Sequence, residues 1–275
     1  MNRRMVVALV AGLAVVSAVN AQSARFTWKQ GQMLVYRVEH VQSATDVSDD
    51  GKGESSSKLQ QTRCWKVLEV DAAGVASLQM WVAQMRFERT APDGETQVYD
   101  SADPDKSNPQ MREQLGKFVN QTLAVLRVDS RGKVVEVKHS QGPASRYESE
   151  LPFLVVLPEE ALKPEQAWQR SYTVVLDPPA GTGEKYAAEQ KYVCKRLDGG
   201  LATIGLSTAF KTLPPPAEQI HVLDKQPAGE LVFDTVRGCL KSALLSIDKE
   251  VKNHQGEGSS YHYKSTYTIE QVESN

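Results

Sequence analysis

The sequence contains few of the residues from which compact catalytic and metal sites are built. Among its 275 residues only five are histidines and three are cysteines, and no two histidines lie within four positions of each other. This spacing, together with the lack of a Cys-x-x-Cys pair, excludes the compact zinc motifs. No Gly-x-Ser-x-Gly motif occurs, and no glycine-rich phosphate loop follows a strand and opens a helix. We therefore predict a protein that is not an enzyme, with no catalytic residues, metal ligands or cofactor.

The chain also lacks a strong charge of either sign and a second long apolar run. The formal net charge is −2, so no basic field indicates a nucleic-acid partner. The one long apolar run, residues 5–19, follows Arg3 and Arg4 and precedes small residues. It predicts a signal peptide over residues 1–21, cleaved after Ala21, because about 15 residues fall short of the roughly 20 that span a membrane. We expect an exported protein, periplasmic or extracellular, whose mature chain has no transmembrane segment.

The three cysteines, Cys64, Cys194 and Cys239, permit one disulfide in an oxidising compartment. Cys194 and Cys239 both lie in the second half of the chain and are the candidate pair. An odd number leaves at least one thiol free or paired elsewhere. The alternative is that all three are half-buried as small apolar residues.

Alternation of apolar and polar residues dominates the sequence and predicts a mostly β, antiparallel fold. Within residues 75–90 the apolar phase changes, which predicts a bulge or a strand covered on both faces. A helix is expected near 109–119, because Asn108 is an N-cap residue and Pro109 suits the first helical position. A capping-box pattern at Ser145 predicts a second short helix near 144–150. The apolar face of the first helix consists of Met111, Leu115 and Phe118.

Three blocks recur in order along the chain. The segment GQMLVYRV at 31–38 resembles EQAWQRSYTV at 165–174, and WKVLEVDAAGVASL at 65–78 resembles YVCKRLDGGLATI at 192–204. An Arg-Gly hairpin comes third in each half. We predict an internal duplication, with a first β repeat over 22–150 and a second over 151–275, forming a curved sheet or a sandwich. The alternative is that the similarity only reflects the strand–turn–strand pattern that any two β-rich segments share, since glycine and aspartate dominate turns.

The two Arg-Gly hairpins read VLRVDSRGKVVEV at 125–137 and LVFDTVRGCLKSALL at 231–245. We interpret them as hairpin corners rather than catalytic pairs, with aspartate accepting bonds from the turn backbone and arginine facing water. Gly132 and Gly238 would supply the positive φ that such corners need. The charged residues concerned are Asp129 with Arg131, and Asp234 with Arg237.

Two further groups are weaker candidates for binding. Tyr261, Tyr263 and Tyr267 share one side of the last predicted strand, and either line a groove for an apolar or carbohydrate ligand or pack in the core. The polar stretch 45–57 is expected to be a mobile, solvent-facing hairpin tip. Its acidic residues do not follow the calcium-loop order, so we interpret them as solvated; they are Asp46, Asp49, Asp50 and Glu54.

Several segments resemble one known family. FTWKQGQMLVYRVEH, WKVLEVDAAGVASLQM, LRVDSRGKVVEV and LPEEALKPEQAWQRSYTV are similar to blocks of uncharacterised secreted bacterial proteins common in planctomycetes. The resemblance implies an exported, mostly β protein over most of the mature chain. It brings no known activity or functional residue. The acidic tip and the cysteines do not match it.

The functional hypothesis is a non-catalytic, exported cell-envelope protein that binds an apolar ligand or lipid in a sheet concavity. It rests on fold-level analogy with carriers of lipids and lipoproteins, in which the helix near 109–119 would be a lid or a core plug. A concave side packed solid by side chains would exclude it. The alternatives are a structural or protein-interaction module without a small ligand, and a secreted hydrolase with no recognisable motif.

Overall fold

A computed structural model describes residues 23–178 and 180–272. Its strands form one 12-stranded antiparallel sheet, open and curved, which confirms the mostly β prediction and selects the curved sheet over the sandwich. The predicted signal peptide, residues 1–21, lies outside the described residues.

The first part of the chain supplies six strands and two helices. The strands are β1 (Met33–Ser48), β2 (Gly51–Val70), β3 (Ala76–Thr90), β4 (Thr96–Asp100), β5 (Ala124–Val128) and β6 (Val134–Ser140). A 3-10 turn (Pro104–Lys106) and helix α1 (Pro109–Gly116) lie between β4 and β5, and helix α2 (Arg146–Ser149) follows β6. Both predicted helices are therefore present.

The second part supplies six more strands. They are β7 (Ala167–Leu176), β8 (Glu184–Asp198), β9 (Leu201–Phe210), β10 (Ala228–Asp234), β11 (Cys239–Lys252) and β12 (Ser260–Val272). The short helix α3 (Pro216–Gln219) and the 3-10 helix Ile220–Lys225 connect β9 to β10.

The strand order in the sheet is β6-β5-β3-β2-β1-β12-β11-β10-β9-β8-β7, with β4 paired to β3. The chain thus runs from the centre to one edge, crosses to the other edge and returns to the centre, where Val38 pairs with Ile269. Strands from both sides of residue 150 belong to one sheet. This order does not by itself demonstrate a duplication, which stays a prediction.

Period-two alternation divides each strand between two faces. In β1, Leu34, Tyr36 and Val38 are all at most 3% exposed, and we call the face that they occupy the inner face. Against β3, the register of β2 jumps between Thr62 and Arg63. This irregularity is the predicted bulge, and it explains the change of apolar phase.

The crossover from β6 to β7 closes part of the inner face. Six of the seven residues from 151 to 157 are buried, because the connection between opposite edges must pass over the sheet. Phe153 is fully buried, and its ring centroid lies 5.3 Å from those of both Phe26 and Trp65 and 5.6 Å from that of Trp28. We call Phe26, Trp28 and Phe153 the aromatic plug.

The two Arg-Gly corners hold the N-terminal part of the plug between them. The Phe26 amide donates to the Ser130 carbonyl at 2.7 Å, and the Thr27 amide donates to the Gly238 carbonyl at 2.9 Å. The space beside both glycines is filled: a Cβ on Gly132 would lie 2.6 Å from the Val155 oxygen, and one on Gly238 would lie 2.6 Å from the Thr27 nitrogen.

The corner geometry confirms most of the prediction. The φ angles of Gly132 and Gly238 are +89° and +66°, and each corner aspartate accepts two backbone amide bonds within the turn. The prediction that Arg131 faces water is wrong. Its Nε donates to the Leu157 carbonyl at 2.7 Å, and its Nη1 lies 2.8 Å from Glu159 Oε1. This arginine therefore fastens the crossover instead of only facing water.

Helix α1 begins as predicted, with the Asn108 side chain accepting from the Met111 amide at 3.1 Å. Met111 is buried in a small cluster with Val82 and Met85 beside β4. Helix α2 lacks the predicted capping box: the Ser145 hydroxyl makes no capping bond and donates to Asp177 Oδ2 at 3.0 Å instead.

The predicted disulfide between Cys194 and Cys239 is corrected, because all three cysteines are free and buried. Cys194 lies on β8 and Cys239 on β11, with β9 and β10 between them. Three strand spacings of about 4.8 Å give roughly 14 Å, whereas bridged Cα atoms lie within about 7 Å. Burial raises the pKa of both thiols.

The polar stretch 45–57 is ordered as strand in this structure. Strands β1 and β2 stay paired as far as Ser48 and Gly51, so only a tight turn separates them. The predicted hairpin therefore stays paired as a two-stranded ribbon up to its two-residue turn.

Candidate functional site

A cavity of about 400 Å³ lies on the inner face, beside the aromatic plug. Its cover consists of α2 with the first residues of the crossover, and of the end of the 3-10 helix Ile220–Lys225. Helix α1 contributes no residue to its lining. The predicted lid helix is therefore not the cover of this cavity.

Cross-strand register places the floor of the cavity. His40 of β1 pairs with Tyr267 of β12, which in turn pairs with Leu245 of β11, so the three side chains lie side by side on the inner face. Arg63 and Trp65 extend the floor along β2, since residues two apart on a strand share a face.

The wall on β7 is held by a network around Arg170. Its Nε donates to Gln190 Oε1 at 2.7 Å, and its Nη1 and Nη2 donate to the carbonyls of Glu148 and Ser149 at 2.7 and 3.0 Å. The guanidinium also stacks 4.2 Å from the Tyr172 ring centroid. Because these carbonyls end helix α2, Arg170 fixes the cover to the sheet.

Ion pairs join the two parts of the cover. Glu150 lies 2.9 Å from Arg146 and 3.2 Å from Lys225, and Lys225 lies 3.1 Å from Asp224. Burial raises the pKa of Glu150, but the attraction of Lys225 and Arg146 outweighs it and holds that pKa below its ordinary value. These groups are partly exposed, so each pair contributes at most about 1 kcal/mol.

Arg63 is the least satisfied charged side chain of the lining. Its Nη1 lies 3.5 Å from the Tyr267 hydroxyl and its Nη2 lies 3.3 Å from Gln61 Oε1, both long for hydrogen bonds. Its Nε is buried without a partner, as is the indole Nε1 of Trp65. Of the carboxylates in the described ranges, none lies within ion-pair distance of Arg63. Burial lowers the pKa of His40, so this imidazole is neutral at pH 7.

The rest of the lining is largely apolar. It includes Met80, Leu154, Val174, Leu206, Leu245 and Ile247. Within residues 23–178 and 180–272, no group of three or more histidine, cysteine or acidic residues could hold a metal ion. None of the three cysteines lines the cavity. The arrangement suits binding of a molecule that is apolar over most of its surface.

The three tyrosines of β12 do not all follow the same one of the two predicted alternatives, a groove lining or core packing. Pairing places all three on the inner face, and Tyr267 lines the cavity. Tyr263 is buried in a separate cluster, against which Tyr261 packs, and its hydroxyl donates to Gln42 Oε1 at 2.8 Å. Only one of the three is therefore available to a ligand in this cavity.

Of the acidic tip residues, Asp46 alone meets an unexpected partner. Its Oδ1 lies 3.0 Å from Nε2 of His254, whose side chain is 1% exposed. Asp49, Asp50 and Glu54 are exposed. The sequence did not indicate the contact between Asp46 and His254, which is made by two hairpins far apart in the chain.

Sequence reasoning missed Arg63 as a site residue. The available signal was its position in the alternation of β2. Arg63 lies on the same face of the strand as Leu59, Gln61 and the buried Trp65. A charged residue in the inward phase of a strand is unusual. Its place beside a cavity depends on the crossover, which no local pattern specifies.

No family model and no curated protein matches the chain. Three solved structures resemble it in part. Lipovitellin has 11% identity and a TM-score of 0.40 over 89% of this chain, which spans 25% of the lipovitellin chain. DynF from the dynemicin biosynthesis pathway of Micromonospora chersina has 6% identity and a TM-score of 0.24, with 95% of this chain and 92% of that one covered. An outer membrane channel from Pseudomonas putida F1 has 10% identity and a TM-score of 0.24, with 94% and 100% covered.

All three TM-scores are below 0.5, so these similarities identify neither a family nor a function. The resemblance to secreted planctomycete proteins stays a prediction. Among the described helices, none has both the length and the apolar character needed to cross a membrane.

Proposed function

We propose that this chain is a non-catalytic exported protein of the cell envelope that binds a small, mainly apolar molecule in the inner-face cavity. One observation carries the proposal: the crossover covers part of the inner face without filling the space beneath it. The aromatic plug occupies one part, and a cavity of about 400 Å³ remains in the other. Small-molecule sites have volumes of roughly 300–1,000 Å³ and mainly apolar walls.

The construction of the cover supports binding more than simple core packing. A core normally leaves few voids larger than a water molecule. Here the Arg170 network and the ion pairs of Glu150 hold two connecting segments above the sheet with space beneath them. Partly exposed ion pairs are weak enough to open without unfolding the sheet.

Titration with an uncharged fluorescent probe, N-phenyl-1-naphthylamine, tests the proposal. Leu245 lines the cavity, whereas its neighbour Leu244 is 56% exposed on the other face of β11. Leu245→Trp is expected to weaken probe binding about tenfold or more, because the indole occupies the ligand space. Leu244→Trp is the matched control and is expected to bind like the wild type.

The outcome against the proposal is a lack of saturable binding by the wild type, or equal binding by both variants when circular dichroism shows both folded. If Leu245→Trp does not fold, Ile247→Phe repeats the test at the next inward position of β11. Native mass spectrometry of protein purified from its host supplies an independent measurement, in which a co-purified small molecule is expected.

Export is tested separately. Cleavage after Ala21 would leave Gln22 as the first residue of the mature chain. N-terminal sequencing of protein recovered from the periplasm or the medium is expected to begin there. Recovery of the full-length chain from the cytoplasm alone would contradict the proposal of export.

A further inference from the structure

We infer that the ligand of this cavity is a single-chain amphiphile with an anionic head group, bound by Arg63. The inference rests on the proposed function and adds the chemical class of the ligand. It starts from two buried donors on side chains that line the cavity, the Arg63 Nε and the Trp65 Nε1, neither of which has a partner.

Arg63 brings a permanent positive charge into the lining of the cavity. A guanidinium always carries its charge and presents five donors. Arg63 is half-buried, but its Nε is fully buried, and a buried donor without an acceptor is costly. Arg63 has only two long contacts, to the Tyr267 hydroxyl and the Gln61 amide oxygen. An anion at this position would accept from the guanidinium in the bidentate geometry that carboxylates and phosphates favour.

The lining of the cavity carries more cationic than acidic side chains. Arg170 is engaged by Gln190 and two carbonyls, and Arg146 and Lys225 share Glu150. Asp224 is paired with Lys225. Four cationic side chains therefore face two carboxylates in the lining. Arg63 and Arg170 have no carboxylate partner in the described part of the chain, and of these two only Arg63 also lacks short hydrogen bonds.

The indole of Trp65 supplies a second unpartnered donor on the same face of β2. Trp65 lies two residues from Arg63 and is 2% exposed, and its indole Nε1 is a donor only. Two unpartnered donors side by side, with His40 kept neutral by burial, favour an acceptor-rich group over a cation. This selects an anionic head group rather than an amine.

The lining of the cavity extends from Arg63 to apolar side chains in the other half of the sheet. Val174 on β7 and Leu206 on β9 belong to the same lining as Arg63 on β2, and these strands lie in opposite halves of the sheet order. A head group at Arg63 would leave an apolar chain among Leu154, Leu206 and Val174. A volume of about 400 Å³ suits one chain, which points to a long-chain carboxylate.

The experiment compares cis-parinaric acid with its methyl ester, two fluorescent probes that share one apolar chain and differ in the head group, which is charged only in the acid. The wild type is expected to bind the acid about tenfold or more tightly than the ester, as for a hydrogen-bonded charge. Arg63→Gln is expected to remove this preference while keeping ester affinity. Arg37→Gln, at an exposed outward position of β1, is the matched control and is expected to keep it.

The outcomes separate this inference from the proposed function. Equal wild-type binding of acid and ester overturns the anionic head group but leaves an apolar ligand. Binding of neither probe counts against the proposed function itself. If acetate or inorganic phosphate displaces the acid with the affinity of the acid itself, the site binds a free anion and the amphiphile is excluded. Should Arg63→Gln fail to fold, Arg63→Lys and the wild-type comparison still decide.

Discussion

Replacement of Phe153 by alanine is expected to destabilise the protein more than replacement of any half-buried phenylalanine. Phe153 is fully buried at the point where the crossover meets the sheet. Phe→Ala in a core costs about 3–5 kcal/mol, and each aromatic pair adds about 0.5–1.5 kcal/mol beyond area burial. Its ring contacts four others, those of Phe26, Trp28, Tyr36 and Trp65.

These contacts place the expected loss of unfolding free energy near the top of that range, at about 4–5 kcal/mol. For a chain of this size, the loss corresponds to a fall in Tm of roughly 8–20 °C. Urea unfolding monitored by circular dichroism and tryptophan fluorescence measures the free energy directly. A typical protein has only about 5–15 kcal/mol of stability, so the variant is expected to be marginal near body temperature.

Two controls make the expectation specific. Phe118 is half-buried outside the buried clusters, and Phe118→Ala is expected to cost about 1 kcal/mol. Phe153→Leu retains most of the apolar volume and is expected to cost less than about 2 kcal/mol. If Phe153→Ala costs no more than Phe118→Ala, the crossover does not pack on the sheet as described, and the cover of the cavity is wrong with it.

Three further predictions address the corners, a buried phenol and the thiols. Gly238→Ala is expected to cost about 1–2 kcal/mol of unfolding free energy for its positive φ, and more because a Cβ there would clash with the N-terminal segment. Gly94→Ala, with positive φ but open space, is expected to show only the cost of the positive φ. Equal shifts in the urea midpoint would refute the contact at Gly238. Burial raises the pKa of Tyr192 to about 12, so the folded state keeps a proton that the unfolded chain loses near pH 10. The free energy of unfolding therefore falls by about 2–3 kcal/mol between pH 10 and pH 12. Tyr192→Phe is expected to remove this part of the decline, and an unchanged pH profile would contradict the burial of Tyr192. Alkylation of the denatured, unreduced protein is expected to label Cys194 and Cys239 along with the third thiol, and a mass showing only one label would restore the disulfide.

Local chemistry specified much of the architecture. Alternating side chains determined the strands, since a strand with one buried face must alternate. Turn residues determined the corners, since Gly132 and Gly238 adopt backbone angles that other residues resist. Asn108 with Pro109 determined the start of α1. Each of these depends on neighbours within a few positions, which is why the sequence alone predicted them correctly.

The candidate site depended on contacts that join distant parts of the chain. The cavity exists because the crossover passes over the inner face between opposite edges, and nothing local to residues 151–157 states what they cover. The separation of Cys194 from Cys239 by two strands follows from the strand order, which places β8 and β11 apart. The inward phase of Arg63 is visible in the sequence, but Arg63 becomes a charge without short hydrogen bonds in a cavity only after β2, β12 and the crossover come together. The sequence by itself determined most of the strands, both corners and the start of α1, because neighbouring residues control backbone angles. The tertiary structure alone decided the cavity and its charges, because burial is a property of the whole fold.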